Sequence, residues 1–210
     1  MSRALRLHAA LALTLAVAPV ATVATASTAP LESTRALAAG LRPGGRAEVT
    51  LRWSAPGAPG APASRMRGAL AIEPPDRARL DVASTGERIT LRADGGEWLQ
   101  PGLHQLVLLR RRHSIAAIRW WRLLAGGEPA RERRLGPRTF RLVLDASGEM
   151  PADSAEVSLD PAGLPARLVL DDGAGGRQVY ALSGWRFTRA RGAAAFHVEA
   201  PPGTETVELP

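Results

Sequence analysis

None of the 210 residues is cysteine. That excludes disulfides, a thiolate nucleophile and a lipid-modified N-terminal cysteine, and a domain of this size can be held by its core alone. Lysine and asparagine are missing as well, so all 27 basic residues are arginine. This reads as the codon bias of a GC-rich genome, and it discounts the formal net charge of +7. Basic charge draws nucleic acid or anionic membranes. Here, however, the arginines fall mostly at alternate strand positions, the pattern of a solvated outer face.

Chemistry-bearing motifs are equally scarce. Beyond the first segment the histidines are His104, His113 and His197, with no pair at the H-E-x-x-H spacing that holds zinc on a helix. No G-x-S-x-G elbow is present, so the serine-hydrolase arrangement is missing too. Asp171-Asp172-Gly173 with Gly175-Gly176 lacks the liganding run of a calcium loop and reads as a hairpin turn. Arg131 to Arg134 reads as a solvated loop, or one facing anionic lipid headgroups. Neither a catalytic centre nor a metal or cofactor site is expected.

What is present begins with an address. Met1 to Ala26 carries Arg3 and Arg6, an apolar run from Ala9 to Val23, and Ala24-Thr25-Ala26. The run is short for a membrane span and ends in small residues, so residues 1–26 read as a secretory signal peptide cleaved near Ala26-Ser27. Residues 27–210 then form a single domain, expected in a bacterial periplasm.

Strand signals dominate this domain. A short helix over Leu31 to Leu41 comes first, stopped by Gly40 and Pro43. Ala47, Val49, Leu51 and Trp53 then alternate with charged or polar residues, a period of two. Ser54 to Ser64 is dense in Pro and Gly and forms a hairpin loop. Met66, Gly68, Leu70 and Ile72 share one strand face, and Ala78, Leu80 and Val82 another. From Glu87 to Leu109, strand-like runs are punctuated by Asp94-Gly95 and Pro101-Gly102, both turn signals. Ser114 to Leu124 has helical spacing, with Ser114 as its cap and Gly126 at its end. Trp120 and Trp121 sit about 100° apart around such a helix, so one is expected at its edge. Glu128 to Arg138 reads as loop. Phe140, Leu142 and Leu144, then Val157 and Leu159, Leu168 and Leu170, Val179 to Phe187, and Ala194, Phe196 and Val198 complete a second half.

The order of several weak motifs carries a resemblance. Glu87 to Leu109 (strand, Asp-Gly, Gly-Glu-Trp, Gln-Pro, Gln-Leu-Val), Gly68 to Arg79 with Arg79 four residues after Pro75, Leu123-Leu124-Ala125-Gly126, Asp160 to Pro165, and Phe196 to Gly203 resemble the LolA superfamily of periplasmic lipoprotein carriers. The resemblance implies a mainly β fold with a few helices: a strongly curved antiparallel sheet, an incomplete β-barrel, covered by helices. It implies a carrier that binds acyl chains of lipoproteins or another lipid and shuttles them from inner to outer membrane as a monomer. Its partners would be an inner-membrane release complex and an outer-membrane acceptor, with no nucleic acid. The apolar stripes Val49, Leu51, Leu70, Ile72, Leu80, Val82, Ile89, Leu91, Trp98, Phe140 and Leu142 would line the cavity. Ile115, Ile118, Trp120, Trp121 and Leu124 would form a lid, and Arg79 would be a gating residue. The family's Arg before the Pro is replaced by Glu73 and Pro74, so gating by that Arg does not carry over. The alternatives are an RseB-like sensor of envelope state and a hydrolase with an unrecognised site.

Overall fold

The computed structural model describes residues 31–42, 44–55, 64–146, 153–171 and 177–209. The side chains of Ala55, Ser64, Arg112, Ile115, Ala116, Ala117 and Asp171 lie outside the description, as do the leader, most of the Pro/Gly-rich loop and the turn at 172–176. A short helix, α1 (Arg35–Gly40), precedes strands β1 (Gly45–Ala55), β2 (Ser64–Glu73), β3 (Arg77–Val82), β4 (Arg88–Arg92), β5 (Gly95–Gln100) and β6 (Gln105–Arg110). Helix α2 (Arg111–Leu124) follows, then β7 (Arg131–Gly136), β8 (Thr139–Leu144), β9 (Asp153–Leu159), β10 (Pro165–Asp171), β11 (Arg177–Arg189) and β12 (Glu205–Glu208).

All twelve strands form one sheet in the order β12-β6-β5-β4-β3-β2-β1-β11-β10-β9-β8-β7. The period-two apolar residues point to one face, here called inner, where both helices pack. Leu37 of α1 and Ile118, Leu123 and Leu124 of α2 join Val49, Leu51, Leu70, Ile72, Leu91, Leu142 and Leu168 in one buried cluster. Burying each such side chain contributes about 1.5–3 kcal/mol. Gly126 ends α2 at φ 80° with Ala38 of α1 close by, a backbone conformation that favours glycine.

The expected incomplete barrel is corrected by this arrangement. The sheet is neither closed nor strongly curled, and its outermost strands, β12 and β7, are not neighbours. Both edges are poor partners for closure. β7 exposes Arg131, Arg133 and Arg134, and charged side chains blunt an edge; β12 is only four residues long and exposed throughout. Nor is the sheet wholly antiparallel, because β12 pairs parallel to β6. Between β11 and β12 the chain crosses the outer face of the sheet and so reaches β6 running in the same direction.

Three local expectations change as well. Glu128 to Arg138 contains β7, where Glu132 accepts the backbone N–H groups of Glu32 (3.1 Å) and Ser33 (2.9 Å). α2 starts three residues before Ser114. The Ser114 hydroxyl is buried within the helix, 2.6 Å from Arg92 O and 2.9 Å from Gly95 O, where it ties α2 to the β4–β5 turn. Finally, Ala194 to Val198 is no strand: Ala193–Phe196 is a single 3-10 turn and lies on the outer face.

Candidate functional site

Strand register places the inner-face apolar residues in rows that cross the sheet. Val49 pairs with Leu70, Leu70 with Leu80, Leu80 with Ile89, Ile89 with Trp98, Trp98 with Val107, and Val107 with Val207. A second row joins Met66, Trp53, Tyr180, Leu168, Val157 and Phe140. Neighbouring strands lie about 4.8 Å apart, so residues in a row touch directly.

The rows are unevenly covered. Val49, Leu70, Leu168 and Val157 are buried in the cluster that includes the helices and Phe140 is buried too, whereas Leu80, Ile89, Trp98, Met66, Trp53 and Tyr180 are half-buried and Val207 is exposed. The uncovered members meet across a glycine. A Cβ on Gly68 would stand 2.9 Å from Leu80 Cδ1 and 3.3 Å from Trp53 Cζ3, so those two side chains close over a position that has none. Trp53 in turn packs against Tyr180, ring centroids 6.0 Å apart and tilted by 43°. The result is an unbroken, half-covered apolar band from Tyr180 through Trp53, Leu80 and Ile89 to Trp98. It spans six strands, about 24 Å at ordinary sheet spacing. Its two ends carry polar handles: Trp98 donates its indole N–H to Glu87 Oε2 at 3.3 Å, and the Tyr180 phenol has its pKa raised above 10.0 by burial.

The predicted lining residues therefore divide into two groups. Leu80, Ile89 and Trp98 lie in the band. Val49, Leu51, Leu70, Ile72, Val82, Leu91, Phe140 and Leu142 are buried, most of them in the core under α1 and α2. Of the predicted lid, Ile118, Trp120 and Leu124 are buried and Trp121 is half-buried at the helix edge; the Ile115 side chain lies outside the description. Sequence reading missed Trp53, Met66 and Tyr180 as members of the band. The signal was the register between β1, β2 and β11, which alternation alone does not give.

Arg79 points the other way, to the outer face, where it holds Asp81 (2.9 Å) and donates to Ala195 O (3.3 Å). It belongs to a polar harness around residues 191–198. Glu73, 1% exposed, accepts the N–H groups of Arg191 (2.8 Å) and Gly192 (3.0 Å) and pairs with Arg77 (2.9 Å). Phe196 is buried beside the guanidinium groups of Arg46 and Arg77, 5.6 and 5.9 Å from its ring centre, a cation–π geometry. Arg92 donates to Phe196 O at 2.8 Å, and Glu97 accepts the Val198 N–H at 2.6 Å. Much of the charge expected to be solvated on β2 to β5 instead fastens this segment. Among the described residues no group of His, Cys, Asp and Glu could hold a metal ion.

No family model matches the chain, and no curated protein matches it. Among solved structures it is similar to an uncharacterized conserved protein from Thermus thermophilus, with 15% identity, a TM-score of 0.47, and coverage of 85% of this chain and 98% of that one. It is likewise similar to a LolA superfamily protein from Nitrosomonas europaea, with 11% identity, a TM-score of 0.46, and coverage of 79% and 96%.

Proposed function

We propose that the protein is a periplasmic carrier that binds the acyl chain of a lipid or lipoprotein along the half-covered band of the inner face. The observation that supports this is the continuity of Tyr180, Trp53, Leu80, Ile89 and Trp98 across six strands without an intervening charge. Such a band takes an extended hydrocarbon chain, and its polar ends suit a chain that terminates in an ester or headgroup. The binding breaks no bond.

Magnitudes decide how the chain would be held. A methylene removed fully from water contributes about 0.8 kcal/mol, so ten of them lying half-covered on an open band contribute about 4 kcal/mol. That corresponds to a dissociation constant of about 1 mM, too weak for a carrier. Full burial needs a cover, and α2 is the element in place to supply it. In this reading Ile118, Trp120, Trp121 and Leu124 form the underside of a lid, with Ile115 on the same helix. When α2 swings aside, the buried inner-face residues Leu70, Ile72 and Leu91 join the band, and the acyl chain replaces the helix side chains as their cover.

Native mass spectrometry of the protein released gently from its own periplasm tests the reading. A co-purified lipid that a fluorescent fatty-acyl probe displaces is the expected result. Protein that emerges lipid-free and takes up no acyl probe overturns it.

A further inference from the structure

Arginines of the outer face are paired with carboxylates at most places, but four neighbours on β1, β2 and β10 are not. On β3 and β4, Arg79 and Arg88 both meet Asp81 (2.9 and 2.6 Å), and Arg92 meets Glu97 (3.2 Å). Farther along the sheet Arg46 meets Glu48 (2.9 Å) and Arg177 meets Glu156 (3.3 Å), and between them the pattern is interrupted. Arg52 of β1 stands directly opposite Arg67 of β2, and on its other side Ala181 of β11 leads to Arg167 of β10. Arg65 follows two residues from Arg67 on the same face. These four arginines are exposed, and among the described residues none of them forms an ion pair or a side-chain hydrogen bond. Like charges directly opposite on neighbouring strands are destabilising. Arg52, Arg65 and Arg67 line a shallow hollow of about 530 Å³ together with Trp53, Ser54, Met66, Arg177, Val179 and Ala181, and Arg167 lies beyond it on the same face. Among these lining residues Val179 is apolar and 38% exposed.

We propose that this face docks the protein on an anionic lipid bilayer, with Arg52, Arg65, Arg67 and Arg167 meeting headgroup phosphates and Val179 meeting the interface between them. Guanidinium groups suit this role because their fork of donors matches phosphate oxygens. The geometry favours a bilayer over a nucleic acid. The charges spread over a broad sheet face rather than along a groove, and the one aromatic ring that lines the hollow among the described residues, Trp53, is half-buried and packed against Tyr180 rather than free for a base to stack on. A second copy of this face would bring the same charges together. The four arginines lie on the opposite face of the sheet from the acyl-binding band, and the hollow meets that band only at Trp53 and Met66. It deepens the carrier reading by giving the carrier a means of reaching a membrane, yet it is measured independently of that reading.

The test uses the full mature chain and sedimentation with two sets of vesicles, pure phosphatidylcholine and phosphatidylcholine with one third phosphatidylglycerol. Binding to the second set alone, weakening as salt shortens the screening length, is the expected result. Each arginine near an anionic surface contributes about fivefold in affinity, so Arg52→Gln with Arg67→Gln lowers binding about thirtyfold. The same pair relieves the cross-strand repulsion, so its thermal midpoint stays level or rises, which rules out misfolding as the cause. Arg35→Gln with Arg42→Gln changes the net charge equally on exposed residues of α1 and the turn after it, and leaves binding within about twofold. Equal loss in both double variants overturns the proposal, because net charge would then suffice. So do equal binding to neutral vesicles, tighter binding to single-stranded DNA at the same salt, and full competition by millimolar inorganic phosphate, the mark of a single-ion site. Unchanged uptake of the fatty-acyl probe by the Arg52/Arg67 variant separates docking from cargo binding: loss of docking with normal uptake supports two sites.

Discussion

Trp120 donates its indole N–H to Asp153 Oδ2 at 2.7 Å, so the deeper of the two adjacent tryptophans ties α2 to β9 while Trp121 stays at the edge. Around the same stretch Arg119 holds Glu128 at 3.0 Å and donates to Asp145 O. At its other end α2 is fixed by Ser114. These few polar contacts are the local attachments a lid would release. Asp153→Ala leaves a buried N–H without its partner, a loss of about 1–3 kcal/mol. Hydrogen exchange should then quicken over residues 111–124 more than over β4, with Asp153→Asn intermediate because its carbonyl still accepts. Equal acceleration of α2 and β4 would show that the helix opens only with the whole domain.

Leu80 and Leu91 occupy neighbouring strands on the same face, yet Leu91 is buried beneath α2 and Leu80 is half-buried in the band. Enlargement therefore separates core from site. Leu91→Trp forces volume into packed space and should destabilise by about 1–3 kcal/mol, read as a lower urea midpoint. Leu80→Trp has room to turn outward, so its midpoint should change by less than about 1 kcal/mol while uptake of the fatty-acyl probe falls. Equal destabilisation by both would mean that the band is ordinary core surface.

Alternation made one apolar face legible in β1 to β4 and β8 to β10, because a side-chain period of two needs no tertiary information. Helix α2 was legible for the same kind of reason. The expected closure failed because it depends on the edges: β7 hides in a run of arginines that reads as loop, and β12 is four residues with no periodic signal. The role of Glu73, Arg79, Arg92 and Glu97 was invisible for a different reason. Their partners are backbone groups more than 95 residues away in sequence, and a charged residue at an alternate strand position looks the same whether water or a returning segment covers it. Register explains the missed part of the band, since Trp53 and Tyr180 become neighbours only once β1 and β11 pair.

Glu73 supports that returning segment from beneath. Its carboxylate is out of contact with water and serves two backbone donors and one arginine. Glu73→Ala strands the two N–H groups and the Arg77 guanidinium, and removing one partner of a buried pair costs about 3–5 kcal/mol. Glu73→Gln keeps one acceptor oxygen and should lose less. Limited proteolysis near residues 190–200 provides the check: faster cleavage there in Glu73→Ala than at the β10–β11 end marks local release. Cleavage unchanged from the parent protein would mean that Arg79, Arg92 and Glu97 hold the segment without it.

Tyr180 is the chain's single tyrosine, so its ionisation can be followed by phenolate absorbance without interference. Burial at the end of the band raises its pKa above 10.0, because the low-polarity surroundings penalise the charged form. The sign of the linkage follows. In the unfolded chain the phenol loses its proton near pH 10, while the folded protein still holds it, so above that pH the native state binds more protons. Stability is unaffected by this group below pH 10 and declines as pH rises towards the folded pKa, by at most about 1.4 kcal/mol per pH unit. Tyr180→Phe should remove that part of the alkaline decline in urea midpoint. The same ring tests the proposed acyl-chain site. An acyl chain laid along Trp53 and Leu80 takes more water from the phenol, so saturation with a fatty-acyl probe should move the titration to higher pH still. A titration that starts raised and does not move with the probe would place the bound chain elsewhere than against Tyr180, and the band would lose its end.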